Sequence, residues 1–206
     1  MDIDYFSLID KKILSDLVKQ VVGRTISSGE CTNFIWRRRT THWFDQYASI
    51  YEAIYFGSQF IAELDKADFR MQSLSDGIMK YQNTWFRLDQ YYRKFIYYVR
   101  KSKQSTLLQG LIDLIENLYS NNFLLTANDN WQQIVDDVKT WDAAPVPNQR
   151  DFFEHVVNDY IRNNNKVAVL VSDALRYEIG VELANLIDDN ASSRRWRPLV
   201  TPHCRT

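Results

Sequence analysis

The chain has 206 residues, of which 45% are hydrophobic and 25% charged, and its formal net charge is −1. These values are typical of a globular protein, and the near-zero charge excludes a global attraction to nucleic acid or anionic membranes. Two cysteines, Cys31 and Cys204, fit neither a disulfide framework nor a zinc motif. Because no apolar run is long enough to cross a bilayer and the start lacks the features of a signal peptide, we expect a cytoplasmic protein with no membrane association.

Residues 5–160 are predicted to be almost entirely helical. Apolar residues recur three or four positions apart, which places them on one face of a helix. The successive predicted faces are Phe6, Ile9, Ile13 and Leu17; Phe44, Tyr47, Tyr51, Ile54, Ile61 and Leu64; Ile78, Tyr81, Trp85, Leu88, Tyr92, Phe95 and Val99; Leu107, Leu108, Leu111, Ile115 and Leu118; and Trp131, Ile134, Val138 and Trp141. The third face is too short for a free-standing coiled coil, so it indicates packing within a bundle.

The best boundary in the chain is Ala143-Ala144-Pro145-Val146-Pro147, because prolines push the residues before them out of helix. A connecting helix follows, marked by Phe152, Phe153, Val156 and Tyr160, and leads to Asn163-Asn164-Asn165. The pattern predicts a helical region over 1–142 and a linker with a connecting helix over 143–165.

Lys166 then leads into five apolar residues, 167–171, and the run stops at Ser172-Asp173. Such a run predicts a buried parallel strand, with a carboxylate at the end where open α/β sheets hold their ligands. Leu175, Ile179, Leu183 and Leu186 mark an amphipathic helix beginning near Ala174. Strand, turn and helix together are the first half of a βαβ unit.

Asp173 has two interpretations. As a hard oxygen ligand it would hold a divalent cation, and the following helix N-terminus would favour a phosphate beside it. As an N-cap it would only close the helix, which is a common role for aspartate. Residue types argue against a haloacid-dehalogenase site, a metal-ion-dependent adhesion site and a glycine-rich phosphate loop, since the residues that follow are Ala-Leu-Arg-Tyr.

The sequence around Asp173 resembles the opening of the PglZ domain, which is related to the alkaline phosphatase superfamily and occurs in BREX phage-defence systems. Short motifs in the predicted helices upstream resemble the region before that domain in type 1 BREX proteins. The matching words are Val-Ser-Asp-Ala-Leu-Arg-Tyr-Glu at 171–178, Val-Glu-Leu at 181–183, Asp-Gln-Tyr-Tyr-Arg-Lys-Phe at 89–95, Leu-Tyr-Ser-Asn-Asn-Phe-Leu at 118–124, Trp131, and Gln-Arg-Asp-Phe-Phe at 149–153.

The resemblance implies that the helical region is followed by the first β-strand and helix of an α/β alkaline-phosphatase-like domain, in a chain that is mostly α overall. It makes Asp173 the first metal ligand, puts Arg176 and Glu178 in the same motif, and implies a divalent metal, zinc by the same resemblance. Tyr177 is expected to pack, and surface or helix-dipole roles remain open for Arg176 and Glu178. The implied partners are other BREX proteins, such as a DNA methyltransferase.

A Thr or Ser nucleophile and further metal ligands would follow on later segments, and nothing in the chain matches them. We therefore expect 166–189 to be a truncated start of the PglZ domain and 190–206 an irregular tail. On this reading the chain is a fragment that does not retain the metal, is inactive alone, and has no assignable catalytic residue. His203 and Cys204 adjoin in the tail and are not expected to bind a metal.

Two other functions remain open. Aromatic-rich helices could serve as an interaction module that engages a DNA methyltransferase or another defence partner, although their spacing equally suits a helical core. Trp36-Arg37-Arg38-Arg39-Thr40-Thr41-His42-Trp43 combines rings with cations, but Arg side chains lying over aromatic rings explain it as well. Because the sequence shows no wider basic stripe, direct nucleic-acid binding is not expected.

Overall fold

The computed structural model describes residues 7–173 and 175–191, and these residues are mostly helical. The α-helices are α1 Ser7–Val22, α2 Ser28–Arg38, α3 Phe44–Lys66, α4 Leu74–Lys80, α5 Phe86–Ser102, α6 Ser105–Asn117, α7 Thr126–Asp137, α8 Asn158–Arg162 and α9 Tyr177–Ala191. Shorter π-helical stretches at Tyr81–Trp85, Leu118–Leu125 and Phe153–Val157, and one 3₁₀ turn at Gln149–Asp151, adjoin them. Within the described ranges no helix is both long and apolar enough to span a bilayer.

The chain divides into two compact units. In its described part, unit 1 comprises residues 7–69 and 87–130, and unit 2 comprises 70–86, 131–173 and 175–191. This division differs from the predicted one, whose boundaries near 142 and 165 stay a prediction.

Unit 1 is a helical bundle in which α1 packs on α3 and α6, and α2 packs on α3. The predicted apolar faces supply a large part of its core, because helical spacing turns them inward together. Their most deeply buried side chains are Tyr51, Ile54, Leu88, Phe95, Leu108, Leu111 and Ile115. Leu14 and Phe60, which the predicted faces did not include, are buried as deeply, whereas Ile13 of the first predicted face is only half-buried. Gly57 marks a close approach of α3 to α6, since a Cβ atom there would lie 3.2 Å from Cδ2 of Leu111.

Unit 2 holds a smaller apolar cluster. Leu74, Ile78 and Ala143 are buried in it, and Trp131 packs against them. Gly77 lies at a close approach, because a Cβ atom there would lie 2.8 Å from Sδ of Met71 and 3.0 Å from the Trp131 ring, so a larger residue would force these side chains to shift. The residues just before the predicted Pro145 boundary thus take part in packing.

The connecting helix contains a π-helical stretch, Phe153–Val157, which the sequence did not predict. Of the residues that marked this helix, Phe153 is 56% exposed, whereas Val157, which was not among them, is buried. A π-turn adds a residue to the helical repeat and rotates the positions that follow it. Single-period reasoning cannot detect that insertion.

The strand predicted over 166–171 is not formed, and the described residues contain no β-strand. Leu170 is 96% exposed and Val171 85% exposed, so the expectation of burial is also wrong in this structure. The physical reason is that a strand is stabilised by hydrogen bonds to a neighbouring strand, and none of the described residues provides one. The mostly helical character of the chain is confirmed.

Candidate functional site around Asp173

The segment that carries Asp173 begins where α8 ends. Asn164 has a φ of 56°, a left-handed conformation that asparagine tolerates, and it reverses the chain. The backbone N–H of Asn165 donates to the carbonyl of Tyr160 at 2.9 Å and completes this C-terminal cap. From Asn165 to Ser172 the backbone has no regular structure, and Asp173 lies in an exposed turn.

Helix α9 begins later than predicted, at Tyr177 rather than near Ala174. The carbonyl of Arg176 accepts from the N–H groups of Ile179 at 3.1 Å and Gly180 at 3.0 Å. Arg176 therefore occupies the N-cap position, and Asp173 lies three residues before it. The interpretation of Asp173 as the N-cap is not supported by this geometry.

Tyr177 fixes the start of α9 within unit 2, as its expected packing role requires. Its ring makes edge contacts with Tyr81 and Phe86, with centroids 5.8 and 5.7 Å away. Its hydroxyl donates to the carbonyl of Gln82 at 3.4 Å. Gln82 lies in the π-helical stretch Tyr81–Trp85.

Glu178 is fully buried in the first turn of α9, whereas Arg176 is exposed. The interpretation of Glu178 as a surface residue is therefore wrong. Its place in the first turn agrees with the helix-dipole interpretation, because a negative charge is favourable at a helix N-terminus. The structure brings Tyr177 and Glu178 into the packed interior and leaves Asp173 and Arg176 in solvent. Local sequence patterns do not distinguish the buried from the exposed positions within this motif.

The described residues do not fit a metal ion. No group of three or more His, Cys, Asp or Glu side chains within the described ranges is placed to hold one. A catalytic metal needs at least three protein ligands, and Asp173 alone supplies one. Among the other candidates, His42 contacts the Trp43 ring and His155 lies 3.1 Å from the Asp151 carbonyl. His203 and Cys204 lie outside the described residues.

Two of the three arginines in the basic run at 36–43 make contacts within unit 1. Arg38 donates to Oδ1 of Asp10 at 2.7 Å, and the Arg39 guanidinium lies 5.1 Å from the Trp36 ring centroid and 3.0 Å from Oε1 of Glu52. These contacts match the interpretation in which Arg side chains cover aromatic rings. The run does not present three outward cations.

Sequence reasoning missed a buried polar cluster in unit 1. Oδ1 of Asp10 accepts from both Arg38 and the Tyr51 hydroxyl, at 2.7 and 2.9 Å, and all three residues are buried. Burial, and next the hydrogen bond to Asp10, raise the pKa of Tyr51 above its ordinary value. No sequence signal marks this cluster, since its members lie 28 and 41 residues apart.

Comparison with known proteins gives matches to one family. A model described as the BREX system PglZ alkaline phosphatase-like domain matches residues 152–201. The chain is 27% identical over 190 residues to the alkaline phosphatase-like protein PglZ of Bacillus cereus (strain H3081.97), which covers 90% of the chain. It is 30% identical over 194 residues to the alkaline phosphatase-like protein BrxZ of Escherichia coli O9:H4 (strain HS), which covers 87% of the chain.

The aligned part amounts to 22% of each of these relatives, so the chain spans about a fifth of their length. No solved structure matches it significantly. The resemblance predicted from the motif around Asp173 and from the upstream helices is confirmed, since the chain is similar to PglZ alkaline phosphatase-like proteins of BREX systems.

Proposed function

We propose that this chain supplies the helical region and the Asp173 turn of a PglZ-type, metal-dependent phosphatase-like protein in phage defence. The observation that carries the proposal is that the exposed carboxylate of Asp173 lies inside the matched stretch 152–201, just ahead of a helix anchored by Tyr177. A rigid helix beside an accessible carboxylate suits a ligand position.

In this proposal Asp173 is the first protein ligand of a divalent metal, with zinc as the candidate ion. Such a metal polarises a phosphoryl oxygen as a Lewis acid when it is bound. The role of this chain is to hold the Asp173 carboxylate at the N-terminal side of α9, where the helix dipole also favours an anion. Arg176 is exposed next to it and could pair with a phosphate.

The exposed apolar run supports a βα layer that is completed by further strands. Four residues of this run are 41–96% exposed: Val167, Val169, Leu170 and Val171. Helix α9 also exposes apolar residues, with Leu183 at 42% and Leu186 at 55%. A β-branched run and a helix with an exposed apolar face bury these surfaces against a sheet in α/β folds. We infer that residues 166–191 belong to such a sheet layer.

A chimera tests the ligand role directly. Residues 152–191 would replace the aligned segment of the E. coli relative, and bound metal would be measured by mass spectrometry. We expect the chimera to hold a divalent metal and Asp173→Ala to lower its metal content. Asp188→Ala removes another exposed α9 carboxylate and is the matched control. Equal metal content in all three chimeras would contradict the assignment of Asp173.

The chain by itself is expected to lack phosphatase activity, because its described residues cannot hold a metal. The assay uses an aryl phosphate and an aryl phosphodiester with added Zn²⁺, Mg²⁺ or Mn²⁺. Metal-dependent turnover by the isolated chain that disappears in Asp173→Ala would overturn this expectation.

A second candidate function is that of a helical interaction module. Trp36 is 64% exposed and Phe34 37% exposed on α2, and aromatic residues of this kind often anchor interfaces. The proposed partner is a DNA methyltransferase or another protein of the defence complex. A pull-down of the methyltransferase that is retained by Trp36→Ala and by deletion of residues 1–142 would count against this function.

A further inference from the structure

The solvent-facing side of α5 is basic and lacks acidic residues. Because Phe95 is fully buried, the opposite side of the helix faces away from the unit 1 core. The one acidic residue of α5, Asp89, is buried and accepts from the Tyr119 hydroxyl at 2.7 Å. The exposed residues of α5 include the cations Arg87, Arg100 and Lys101 and the aromatic residue Tyr97, and the exposed Lys103 follows the helix.

Packing and the helix dipole account for part of this charge. The Lys94 ammonium lies 5.5 Å from the Phe56 ring centroid, and Arg93 is half-buried. Cations in the last turn favour the helix dipole, which accounts for the sign of Arg100 and Lys101. Lys103 lies beyond the helix, and with Arg100 and Lys101 it forms an exposed cluster of like charges, which repel one another.

Acids on neighbouring helices lie close to the inner tyrosines of α5. Burial, followed by the charge of Glu63 on α3, raises the pKa of Tyr91. Burial, followed by the charge of Glu116 on α6, raises the pKa of Tyr92, which stacks on Tyr119 inside unit 1. These acids flank the packed side of α5, and at its C-terminal end Arg100, Lys101 and Lys103 are exposed.

An exposed aromatic ring lies among the cations. Tyr97 is 55% exposed and occupies the turn between the Arg93–Lys94 and Arg100–Lys101 pairs. The Lys101 ammonium lies 5.7 Å from the Tyr97 ring centroid. Cations that track a phosphate backbone, combined with a ring on which a base can stack, are the elements of single-strand nucleic-acid sites.

We propose that the outer side of α5, with Tyr97, Arg100, Lys101 and Lys103 at its centre, binds single-stranded nucleic acid. The cations contact consecutive phosphates and one base stacks on Tyr97. This surface differs from the 36–43 run, in which Arg38 and Arg39 are engaged within unit 1. The exposed ring favours a nucleic acid over an acidic protein segment, which would use the cations alone.

The electrostatic part is tested by fluorescence anisotropy on the full chain. The probe is a labelled oligothymidylate of about 20 nucleotides at about 50 mM salt, followed by a salt titration. The triple variant Arg100→Ala, Lys101→Ala and Lys103→Ala is expected to bind about tenfold or more weakly, with the log–log salt slope reduced by about 2.

The matched control removes the same charge from lysines that are exposed elsewhere, through Lys11→Ala, Lys139→Ala and Lys166→Ala. The control is expected to bind within about twofold of the parent chain, since these lysines lie off the α5 surface. No binding by the parent chain, or equal weakening in the two triple variants, would overturn the proposal. Circular dichroism verifies that both variants are folded.

The stacking part is tested at Tyr97. Tyr97→Ala is expected to weaken oligothymidylate binding about fivefold or more, whereas Tyr97→Phe keeps the ring and binds like the parent chain. Binding of a duplex of equal length should change little in Tyr97→Ala. Equal loss for both nucleic acids, or competition by polyglutamate as effective as that by oligothymidylate, would contradict a single-strand site.

Discussion

The helical bundle of unit 1 and the Asp173 segment of unit 2 use similar apolar residues with opposite outcomes. In unit 1, Leu111 and Phe95 are fully inaccessible to solvent. In the segment, Leu170 is almost fully accessible. Helices satisfy their backbone hydrogen bonds internally, so amphipathic helices need only each other to form a core. A strand needs a neighbouring strand, which the described residues lack.

The two regions also differ in how they treat a carboxylate. Asp10 is buried and held by Arg38 and Tyr51, whereas Asp173 is exposed in a turn. A buried carboxylate with two donors is part of the structure that keeps unit 1 folded. An accessible carboxylate lies where a ligand can reach it. The comparison therefore separates a stability role from a proposed functional role for the same residue type.

The largest expected effect is that of Asp10→Ala, which removes the acceptor shared by Arg38 and Tyr51. A buried guanidinium without its carboxylate costs about 3–5 kcal/mol in the free energy of unfolding. Urea denaturation followed by circular dichroism gives the value. Asp16→Ala on the same helix breaks the exposed pair with Lys12 and should cost less than about 1 kcal/mol. Similar losses in the two variants would refute the distinction.

Leu111→Ala should destabilise the chain by about 2–5 kcal/mol, because it deletes buried methyl groups and leaves a cavity between α3 and α6. The same denaturation experiment measures it. A loss below about 1 kcal/mol would mean that the bundle core is less tightly packed than the structure indicates.

Tyr119→Phe should cost about 1–3 kcal/mol, since Asp89 loses a hydrogen bond of 2.7 Å in a buried site. The ring that stacks on Tyr92 is kept, so packing changes little. Asp89→Ala, made alone and in the Tyr119→Phe background, completes a double-mutant cycle, and additive losses would show that the two side chains do not interact.

The smallest effect is expected for Leu170→Ala, the counterpart of Leu111→Ala. Because the side chain is 96% exposed, the free energy of unfolding should change by less than about 0.5 kcal/mol. A loss similar to that of Leu111→Ala would show that the segment is buried in the chain and would remove the contrast between the two regions.

Much of unit 1 could be predicted from the sequence, because its helices obey the 3.6-residue period. Tyr51, Leu88, Phe95, Leu111 and Ile115 were all placed on core faces and are buried. The π-helical stretches could not be predicted, since an inserted residue leaves no periodic trace before the register shifts.

The Asp173 site was predicted in part. The apolar run at 167–171 would form a strand only if other strands lay beside it. The described residues contain no such strand. The resemblance of the motif to PglZ proteins was sound, yet the burial of Glu178 and the late start of α9 at Tyr177 depend on tertiary contacts that local patterns do not encode. The metal role of Asp173 stays a prediction.

The most direct measurement is hydrogen exchange of the full chain with and without Zn²⁺. We expect amides of residues 166–173 to exchange at rates close to those of an unfolded peptide and to be unchanged by the metal, because they lack both a partner strand and a complete ligand set. Amides around Leu111 should be strongly protected. Protection of residues 166–173 comparable to that of α6, or protection that appears when Zn²⁺ is added, would contradict the account.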